Sequence, residues 1–368
     1  MSHLENARIC WCGNHEFEPF GPAYGECKVC ETLVSLRALS QESSVHNEEE
    51  NVYGKKYWLE HQQKDLGLPD LFKRSRDDLS ERNLHWLKNM LKYCLPPADV
   101  LELGCAHGSF VALMGQAGYR GSGVEMSPWV SGFGEKTFGV RIYVGPVESL
   151  GLPHESLDVI ALMDVLEHLT HPEATMRRCF ELLKPKGLLL IQTPQFKEGV
   201  DFDLLSEAQD PFLKLLIPDE HLYLFSKHSI TDLFRRLGAE YLYFEPAIFE
   251  QHDMFFSVSR APLKTHDVDE MESALLATPE GRMVLALLDL RERELDLVRK
   301  LSESEADRAA RLHQINELTR QINELTRQIN ELTRQINELT RMVNESEERS
   351  RELESSRVWR LMRRIGLV

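Results

Sequence analysis

Residues 99–108 read Asp99-Val-Leu-Glu-Leu-Gly-Cys-Ala-His-Gly108. The apolar run that opens this stretch predicts a buried strand, and the segment from Ser109 onwards has the pattern of a helix. Glycines between a strand and a helix let a ligand approach the backbone N–H groups at the helix start. The stretch therefore predicts a ligand-binding turn at residues 104–108.

A second predicted strand, Gly121-Ser-Gly-Val-Glu125, ends in an acid 21 residues after Gly104. An acid at this position can accept hydrogen bonds from both ribose hydroxyls of a nucleoside. The turn lacks the third glycine of the dinucleotide fingerprint, where the backbone approaches a pyrophosphate. The pattern therefore favours a nucleoside ligand without phosphates.

Outward from these two strands, residues 96–265 alternate short apolar runs with amphipathic stretches, which predicts an α/β domain with a largely parallel sheet. The rest of the chain divides by composition into segments with distinct predicted structures. These are a zinc-binding knuckle (1–40), a helical lead-in or lid (41–95), a helical connector (266–312), a coiled coil (313–346) and a basic amphipathic tail (347–368).

The charge of the chain is strongly acidic. Its net charge is −16, and the 11 Arg and 9 Glu from Arg311 to the end leave −18 on residues 1–310. This balance argues against a general nucleic-acid binder. The sequence has no apolar run long enough to span a bilayer and no apolar segment at its start that would serve as a secretory signal. We therefore expect a cytoplasmic protein, free or at the inner face of the membrane.

Taken in order, these segments resemble the class I S-adenosylmethionine-dependent methyltransferases. The stretches that carry the resemblance are 99–108, 121–125, 145–153, 157–169, 182–194 and 221–226. The resemblance covers roughly residues 50–262. It implies a seven-stranded Rossmann-like methyltransferase sheet and S-adenosylmethionine as the cofactor.

The resemblance also implies which positions contact that cofactor. The turn 104–108 would hold the methionine part, Glu125 the ribose, and Val147 with Glu148 the adenine. Two positions depart from the family pattern: Ala106 stands where a glycine is common, and Pro146 where an acid is common. The predicted contact set is Glu102, Gly104, Cys105, Ala106, Gly108, Glu125, Met126, Val147, Glu148 and Asp164.

A second cluster points to acceptor chemistry. Asp164, Glu167 and His168 are spaced so that, on a helix, they face the same way. Two carboxylates and an imidazole suit Mg²⁺ or Mn²⁺. Metal-assisted O-methyltransferases have a similar pattern completed by a later histidine, here His221, although Leu-Glu-His-Leu also occurs in family members that need no metal. The predicted catalytic residues are His168, His221 and Glu167, with His171 as a further candidate base.

Two aromatic segments flank this cluster in the sequence. Tyr53, Tyr57 and Trp58 resemble a segment that closes over the cofactor or substrate, and they could equally form a core patch of an N-terminal helix. The stretch 195–220 corresponds to an insertion that usually shapes the acceptor pocket in this fold.

Four of the seven cysteines lie in the first thirty residues: Cys10, Cys12, Cys27 and Cys30. Two close pairs separated by fourteen residues are typical of a tetrahedral zinc site. The single residue between the first two thiols is less common and leaves His15 as a substitute ligand, and free thiols in a reduced chain are the alternative. A four-thiolate site has no open position, so we expect a role in stability or docking.

The C-terminal segment repeats QINELTR four times, from Gln314. Isoleucine at position a and leucine at position d favour a parallel two-stranded coiled coil. A trimer, an antiparallel pair and a helix folded back on its own domain remain alternatives. The last stretch, RVWRLMRRIGLV from Arg357, places apolar side chains on one side and arginines on the flanks. Such a helix can lie on an anionic membrane or pack against a partner protein.

The predicted function is methylation of a sugar hydroxyl on a nucleotide- or lipid-linked glycan in surface-polysaccharide biosynthesis. This acceptor comes from resemblance: the cysteine cluster before such a domain resembles bacterial sugar methyltransferases, and Ser355-Ser-Arg-Val-Trp-Arg-Leu361 resembles the ends of surface-polysaccharide enzymes. Methylation at carbon stays open. The alternatives are a metal-assisted RNA 2′-O-methyltransferase, which the acidic charge disfavours, and a coiled-coil scaffold with a non-catalytic methyltransferase fold.

Overall fold

The computed structural model describes residues 8–37, 54–64, 67, 69–197, 199–249 and 251–367, so the predicted lid residue Tyr53 lies outside the described residues. The chain divides into two compact units, Met1–Glu292 and Arg293–Val368. The strands are β1 (Phe17–Phe20), β2 (Tyr24–Cys27), β3 (Leu33–Ser35), β4 (Asp99–Leu103), β5 (Arg120–Glu125), β6 (Ile142–Val144), β7 (Leu157–Met163), β8 (Leu183–Pro194), β9 (Tyr223–Leu224), β10 (Tyr241–Glu245) and β11 (Asp253–Ser259).

The helices follow the same order along the chain. A π-helical turn, Tyr57–His61, precedes the first of them. They are α1 (Gln62–Lys64), α2 (Leu71–Ser80), α3 (Arg82–Tyr93), α4 (Ser109–Gln116), α5 (Pro128–Phe138), α6 (Pro172–Leu182), α7 (Phe202–Ala208), α8 (Lys227–Arg236), α9 (Val268–Leu275), α10 (Pro279–Ser355) and α11 (Arg357–Arg364).

The larger sheet has seven strands in the order β10-β11-β8-β7-β4-β5-β6, which confirms the predicted seven-stranded α/β fold. Strands β8, β7, β4, β5 and β6 run parallel, and β11 is antiparallel to both of its neighbours. Consecutive residues of a strand face opposite sides of a sheet. Accordingly, Val100 lies in one apolar core and Leu101 in the other. Burial on both faces explains the apolar runs 159–163 in β7 and 188–191 in β8.

A smaller sheet joins the cysteine-rich N-terminus to this domain. Its order is β1-β2-β3-β9, so residues 17–35 and residues 223–224 share one sheet. Strand β3 pairs antiparallel with β9, with Leu33 opposite Leu224 and Val34 opposite Tyr223. We refer to residues 8–37 as the cysteine module. An aromatic core packs the module against the insertion 195–220 through Phe20, Tyr24, Phe196 and Phe212.

The second unit contains the heptad repeat as part of α10. The isoleucines at position a and the leucines at position d are 57–62% exposed, so they form a continuous apolar stripe. The threonines next to the stripe donate to the carbonyl four residues earlier, as Thr319 does to Ile315. Charged pairs such as Arg320–Glu317 (2.7 Å) lie on the remaining surface. None of the described helices is both long and apolar enough to cross a membrane.

Candidate active site

The turn after β4 has the left-handed backbone that its glycines permit. Gly104 and Gly108 have φ angles of 71° and 73°, and the intervening Ala106 has a φ of 48°. A Cβ atom added at Gly104 would lie 2.4 Å from Val165 Cγ2, so a side chain has no room there. Ala106 shows that the family's usual middle glycine is not required for the backbone to turn at this position.

Glu125, at the end of β5, lies directly beside this turn. Its Oε2 accepts a hydrogen bond from the Ala106 N–H (3.0 Å), and its Oε1 accepts one from the Ser127 N–H (2.9 Å). Burial raises the pKa of this carboxyl. The predicted ribose acid and the predicted glycine turn therefore form one continuous site, with Met126 following in the chain.

Glu102 is the second buried acid of the site and is only 5% exposed. Its Oε2 has no hydrogen-bond partner among the described residues. Burial, followed by the nearby charge of Glu125, raises its pKa to about 8. Buried polar atoms are normally paired, and a cationic ligand would relieve the cost. S-adenosylmethionine carries a sulfonium and an ammonium group, so this acid, the turn and Glu125 fit that cofactor.

The other predicted contact residues differ in burial and in the direction of their side chains. Val147 is buried, whereas Glu148 is exposed and accepts a hydrogen bond from Thr175 on α6. The Cys105 side chain packs against Gly123, so this residue presents its backbone to the turn. The structure thus places Val147 in an apolar core and directs the Glu148 carboxylate towards α6.

The aromatic segment before α1 covers the turn. Trp58 belongs to an apolar cluster with Leu71 and Val130, and Tyr57 and Ala106 pack against that cluster. In the same segment, His61 Nε2 lies 2.9 Å from Glu220 Oε1. The segment therefore contacts both Ala106 of the glycine turn and Glu220 beside His221, and Trp58 is buried in that apolar cluster.

Glu167, His168 and His221 converge at the neighbouring strand end. One potential ligand atom from each lies within 4.8 Å of the others. The prediction that Asp164 shares a helix face with Glu167 and His168 is wrong. Residues Leu166–His168 form a single 3₁₀ turn, and Asp164 precedes it with a φ of 57°, so it is directed elsewhere. Its Oδ1 accepts a hydrogen bond from Gln192 Nε2 (3.1 Å).

Both histidines of this cluster are fixed in one tautomer. His168 Nδ1 lies 2.8 Å from the Glu220 carbonyl oxygen, and His221 Nδ1 lies 2.7 Å from that of Leu215. A carbonyl oxygen only accepts, so each Nδ1 carries the proton and each Nε2 carries a lone pair. His168 Nε2 is 3.8 Å from Glu167 Oε1. The two rings contact each other with their centroids 5.0 Å apart.

Burial sets the charge state of the cluster. It lowers the pKa of His168 to about 3, with a further contribution from His221, and it also lowers the pKa of His221. Burial raises the pKa of Glu167, whose Oε2 accepts a hydrogen bond from Thr193 Oγ1 (2.9 Å). Both imidazoles are therefore neutral near pH 7. His171 is exposed and does not belong to this cluster.

Sequence reasoning missed two residues at the same edge of the sheet. Asp253, the first residue of β11, is 8% exposed, and burial followed by the charge of Asp164 raises its pKa to about 7. Arg82 on α3 places its Nη1 3.8 Å from Asp164 Oδ2. No local pattern marks either residue, because the sheet order brings β11 and α3 to the site from distant parts of the chain.

The four N-terminal thiols also converge. Cys10 Sγ lies 3.5 Å from Cys30 Sγ, and Cys12 Sγ lies 3.6 Å from Cys27 Sγ. All four sulfurs lie within 4.8 Å of one another. Sulfurs around a tetrahedral zinc with bonds of about 2.3 Å are separated by about 3.8 Å, so the arrangement can bind a metal. His15 is exposed and is not part of this cluster.

Residues 75–243, a little less than half of the chain, match the model of a methyltransferase domain. This match supports the predicted methyltransferase fold and enzyme class. The chain is 32% identical over 108 residues to a ubiquinone biosynthesis O-methyltransferase of Xanthomonas campestris, covering 28% of this chain and 45% of the relative. It is 30% identical over 147 residues to a probable S-adenosylmethionine-dependent methyltransferase of Mycolicibacterium smegmatis, covering 37% and 57%. The chain therefore spans about half the length of these relatives.

Two solved structures are also similar to part of this chain. A putative methyltransferase from Haloferax volcanii, in complex with the Trm112 methyltransferase activator, is 17% identical and covers 52% of this chain and 95% of its own, with a TM-score of 0.40. An S-adenosylmethionine-dependent methyltransferase from Archaeoglobus fulgidus is 18% identical and covers 51% and 97%, with a TM-score of 0.39.

Proposed function

We propose that this chain transfers the methyl group of S-adenosylmethionine to a hydroxyl oxygen held next to Glu167, His168 and His221. The observation that carries the proposal is the convergence of these three side chains at the same edge of the sheet as the turn and Glu125. The sulfonium of the cofactor supplies an electrophilic methyl group. The chain's own residues align the two reactants, and alignment alone can supply several kcal/mol of the barrier reduction.

The histidines can accept the proton of the acceptor hydroxyl. A hydroxyl is a poor nucleophile until that proton is being removed. His221 Nε2 carries a lone pair because Nδ1 donates to Leu215, and the lowered pKa keeps the ring neutral. His221 is therefore the proposed general base, and the charges of Glu220 and Asp164 favour the imidazolium that forms.

The same three residues fit a divalent cation. With Asp164 directed elsewhere, the donor set is one carboxylate and two imidazoles, which suits a transition metal better than Mg²⁺. The Nδ1–H of each histidine donates to a backbone carbonyl oxygen, as the second ring nitrogen of metal-binding histidines commonly does. A bound cation would lower the pKa of an acceptor hydroxyl.

We propose a sugar hydroxyl on a nucleotide- or lipid-linked glycan as the acceptor. The support is the cysteine module ahead of the domain and the C-terminal sequence 355–361, together with a cluster that can contact two neighbouring hydroxyls. The relatives named as ubiquinone biosynthesis enzymes make an aromatic diol the main competitor.

The test is methyl transfer by the full chain from S-adenosylmethionine labelled in its methyl group. The acceptors are a panel of nucleotide sugars, a catechol and a short RNA, and formation of S-adenosylhomocysteine is measured in parallel. Transfer to a nucleotide sugar supports the proposal, and transfer to the catechol alone rejects the sugar acceptor. Transfer to none of them, with S-adenosylhomocysteine still bound, favours a scaffold. Transfer to RNA alone favours the 2′-O-methyltransferase alternative.

We further propose zinc at the four thiols and self-association through α10. Closed thiolate sites are typical of structural zinc. The exposed stripe of Ile and Leu is a large apolar surface, and burying it against a second helix would be favourable. The positions that flank the stripe carry uncharged Gln and Thr, so two identical helices can pair without charge repulsion. On α11, Val358, Leu361 and Ile365 are exposed beside four arginines, which fits contact with an anionic membrane surface.

A further inference from the structure

The cysteine module contacts the segment that carries His221 at four points. We refer to residues 215–222 as the 215–222 loop. Tyr24 Oη donates to the His221 carbonyl oxygen (3.0 Å), and Ser35 Oγ donates to that of Pro218 (2.7 Å). The Ser35 N–H donates to the Leu222 carbonyl (3.0 Å), and Arg37 pairs with Asp219. The loop is therefore fixed from outside the methyltransferase domain.

Tyr24 and Ser35 lie on strands that adjoin two of the thiols. Tyr24 begins β2, which ends at Cys27, and Ser35 ends β3, which begins three residues after Cys30. Tyr24 and Ser35 are 2% and 1% exposed, so both side chains are held in place by packing. Two short strands therefore connect the thiols to the loop.

The loop in turn determines the geometry of both histidines. The Glu220 carbonyl oxygen accepts from His168 Nδ1, and the Leu215 carbonyl oxygen accepts from His221 Nδ1. The Leu222 N–H donates to the Glu167 carbonyl oxygen (2.8 Å). A displacement of the loop therefore moves all three members of the cluster, while the glycine turn and Glu125 lie on other strands.

We infer that the cysteine module positions the acceptor half of the site, with Tyr24 and Ser35 as the positioning residues that fix His221 relative to His168 and Glu167. The module acts on the methyl-acceptor step and leaves cofactor binding unchanged. Its catalytic consequence rests on the proposed function, whereas its effect on the 215–222 loop does not.

The chain offers matched controls for both residues. Tyr119 Oη also donates from a buried position to a backbone carbonyl, that of Cys94 (2.5 Å). Ser259 Oγ donates to the Gly187 carbonyl (2.8 Å) and accepts from the N–H two residues later, as Ser35 does. Tyr119→Phe and Ser259→Ala remove equivalent bonds far from the 215–222 loop.

The experiment measures amide hydrogen exchange by mass spectrometry in Tyr24→Phe, Ser35→Ala and the two controls. Peptides covering 215–222 should exchange about fivefold faster in each test variant, as expected for one lost hydrogen bond, and peptides covering β4 should not change. The controls should leave 215–222 unchanged. Equal exchange of this loop in test and control variants, or equal loss of protection in β4 and the loop, would overturn the inference.

Two further measurements separate positioning from general stability. Titration with S-adenosylhomocysteine should give the same affinity in all four variants. With the acceptor found above, Tyr24→Phe and Ser35→Ala should lower kcat at least fivefold and leave the KM for S-adenosylmethionine unchanged. An unchanged kcat, or a weakened cofactor affinity, would also overturn it. If no acceptor is methylated, the exchange result still decides whether the module controls the loop.

Discussion

The two halves of the site are built in different ways. The cofactor half is nearly continuous in sequence: Glu102, the turn and Glu125 lie on adjacent strands β4 and β5. The proposed acceptor half combines residues 167–168 with a loop about fifty positions later, which accepts hydrogen bonds from Tyr24 and Ser35. The contrast shows that the proposed cofactor half is encoded locally, whereas the proposed acceptor half depends on the packing of distant segments.

The largest expected effect is on the acceptor half alone. His221→Ala should reduce kcat by about 100-fold or more, because general acid–base catalysis contributes at least that much. The affinity for S-adenosylhomocysteine should stay the same. Steady-state kinetics and calorimetric titration of one preparation measure both quantities.

A control for this substitution is His171→Ala, which removes an exposed histidine outside the cluster. It should retain full turnover. If His171→Ala is the slower variant, or if His221→Ala loses cofactor affinity, the assignment of the two halves is wrong.

The next effect concerns the buried acids of the cofactor half. The pKa of Glu102 is raised from its ordinary value near 4.5 to about 8. The stability contributed by the protonated form is therefore complete below pH 4.5 and is lost as the pH rises to 8. Glu102→Gln should remove this loss, on the order of a few kcal/mol. Denaturant unfolding at pH 5 and pH 8.5 measures it, and parallel pH profiles for both proteins would contradict the burial argument.

A smaller effect is expected from Glu125→Ala. Loss of the ribose-binding carboxylate should weaken S-adenosylhomocysteine binding by about 2 kcal/mol, roughly 30-fold. Glu148→Ala is the comparison, because its carboxylate is exposed and bonded to Thr175; it should change affinity by less than about twofold. Equal losses in the two variants would restore Glu148 to the cofactor half.

The smallest effect on chemistry is expected from the coiled coil. Ile322→Lys combined with Ile329→Lys places charges in the apolar stripe and should dissociate the oligomer. Sedimentation velocity should then show single chains, and kcat per chain should equal that of the unaltered protein. An unchanged sedimentation coefficient would reject self-association through this stripe.

Much of the cofactor half could be predicted from sequence because strand, glycine turn and terminal acid follow one another within a short stretch. The direction of the Asp164 side chain could not be predicted from the sequence. A spacing of three and four residues does not distinguish an α-helix from an irregular turn followed by a 3₁₀ turn. Glu148 was placed by resemblance, and only packing shows that it bonds to Thr175.

The contacts of the cysteine module could not be predicted from the local sequence. Tyr24 and His221 are 197 positions apart, and neither residue type nor spacing indicates that they meet. The thiol spacing predicted that the module would be compact. Which surface of the domain the module packs against is set by the pairing of β3 with β9 and by the shared aromatic core.

The identical heptads of α10 have a consequence for alignment. Two such helices that pair can also pair shifted by seven residues, because every layer of Ile and Leu meets an equivalent layer. Each shift leaves one repeat unmatched and moves one C-terminus by about 10 Å relative to the other. Only the residues that flank the repeat, such as His313 and Met342, differ between these alignments. The residues at the ends of the repeat therefore determine whether the two C-terminal tails of a pair lie side by side.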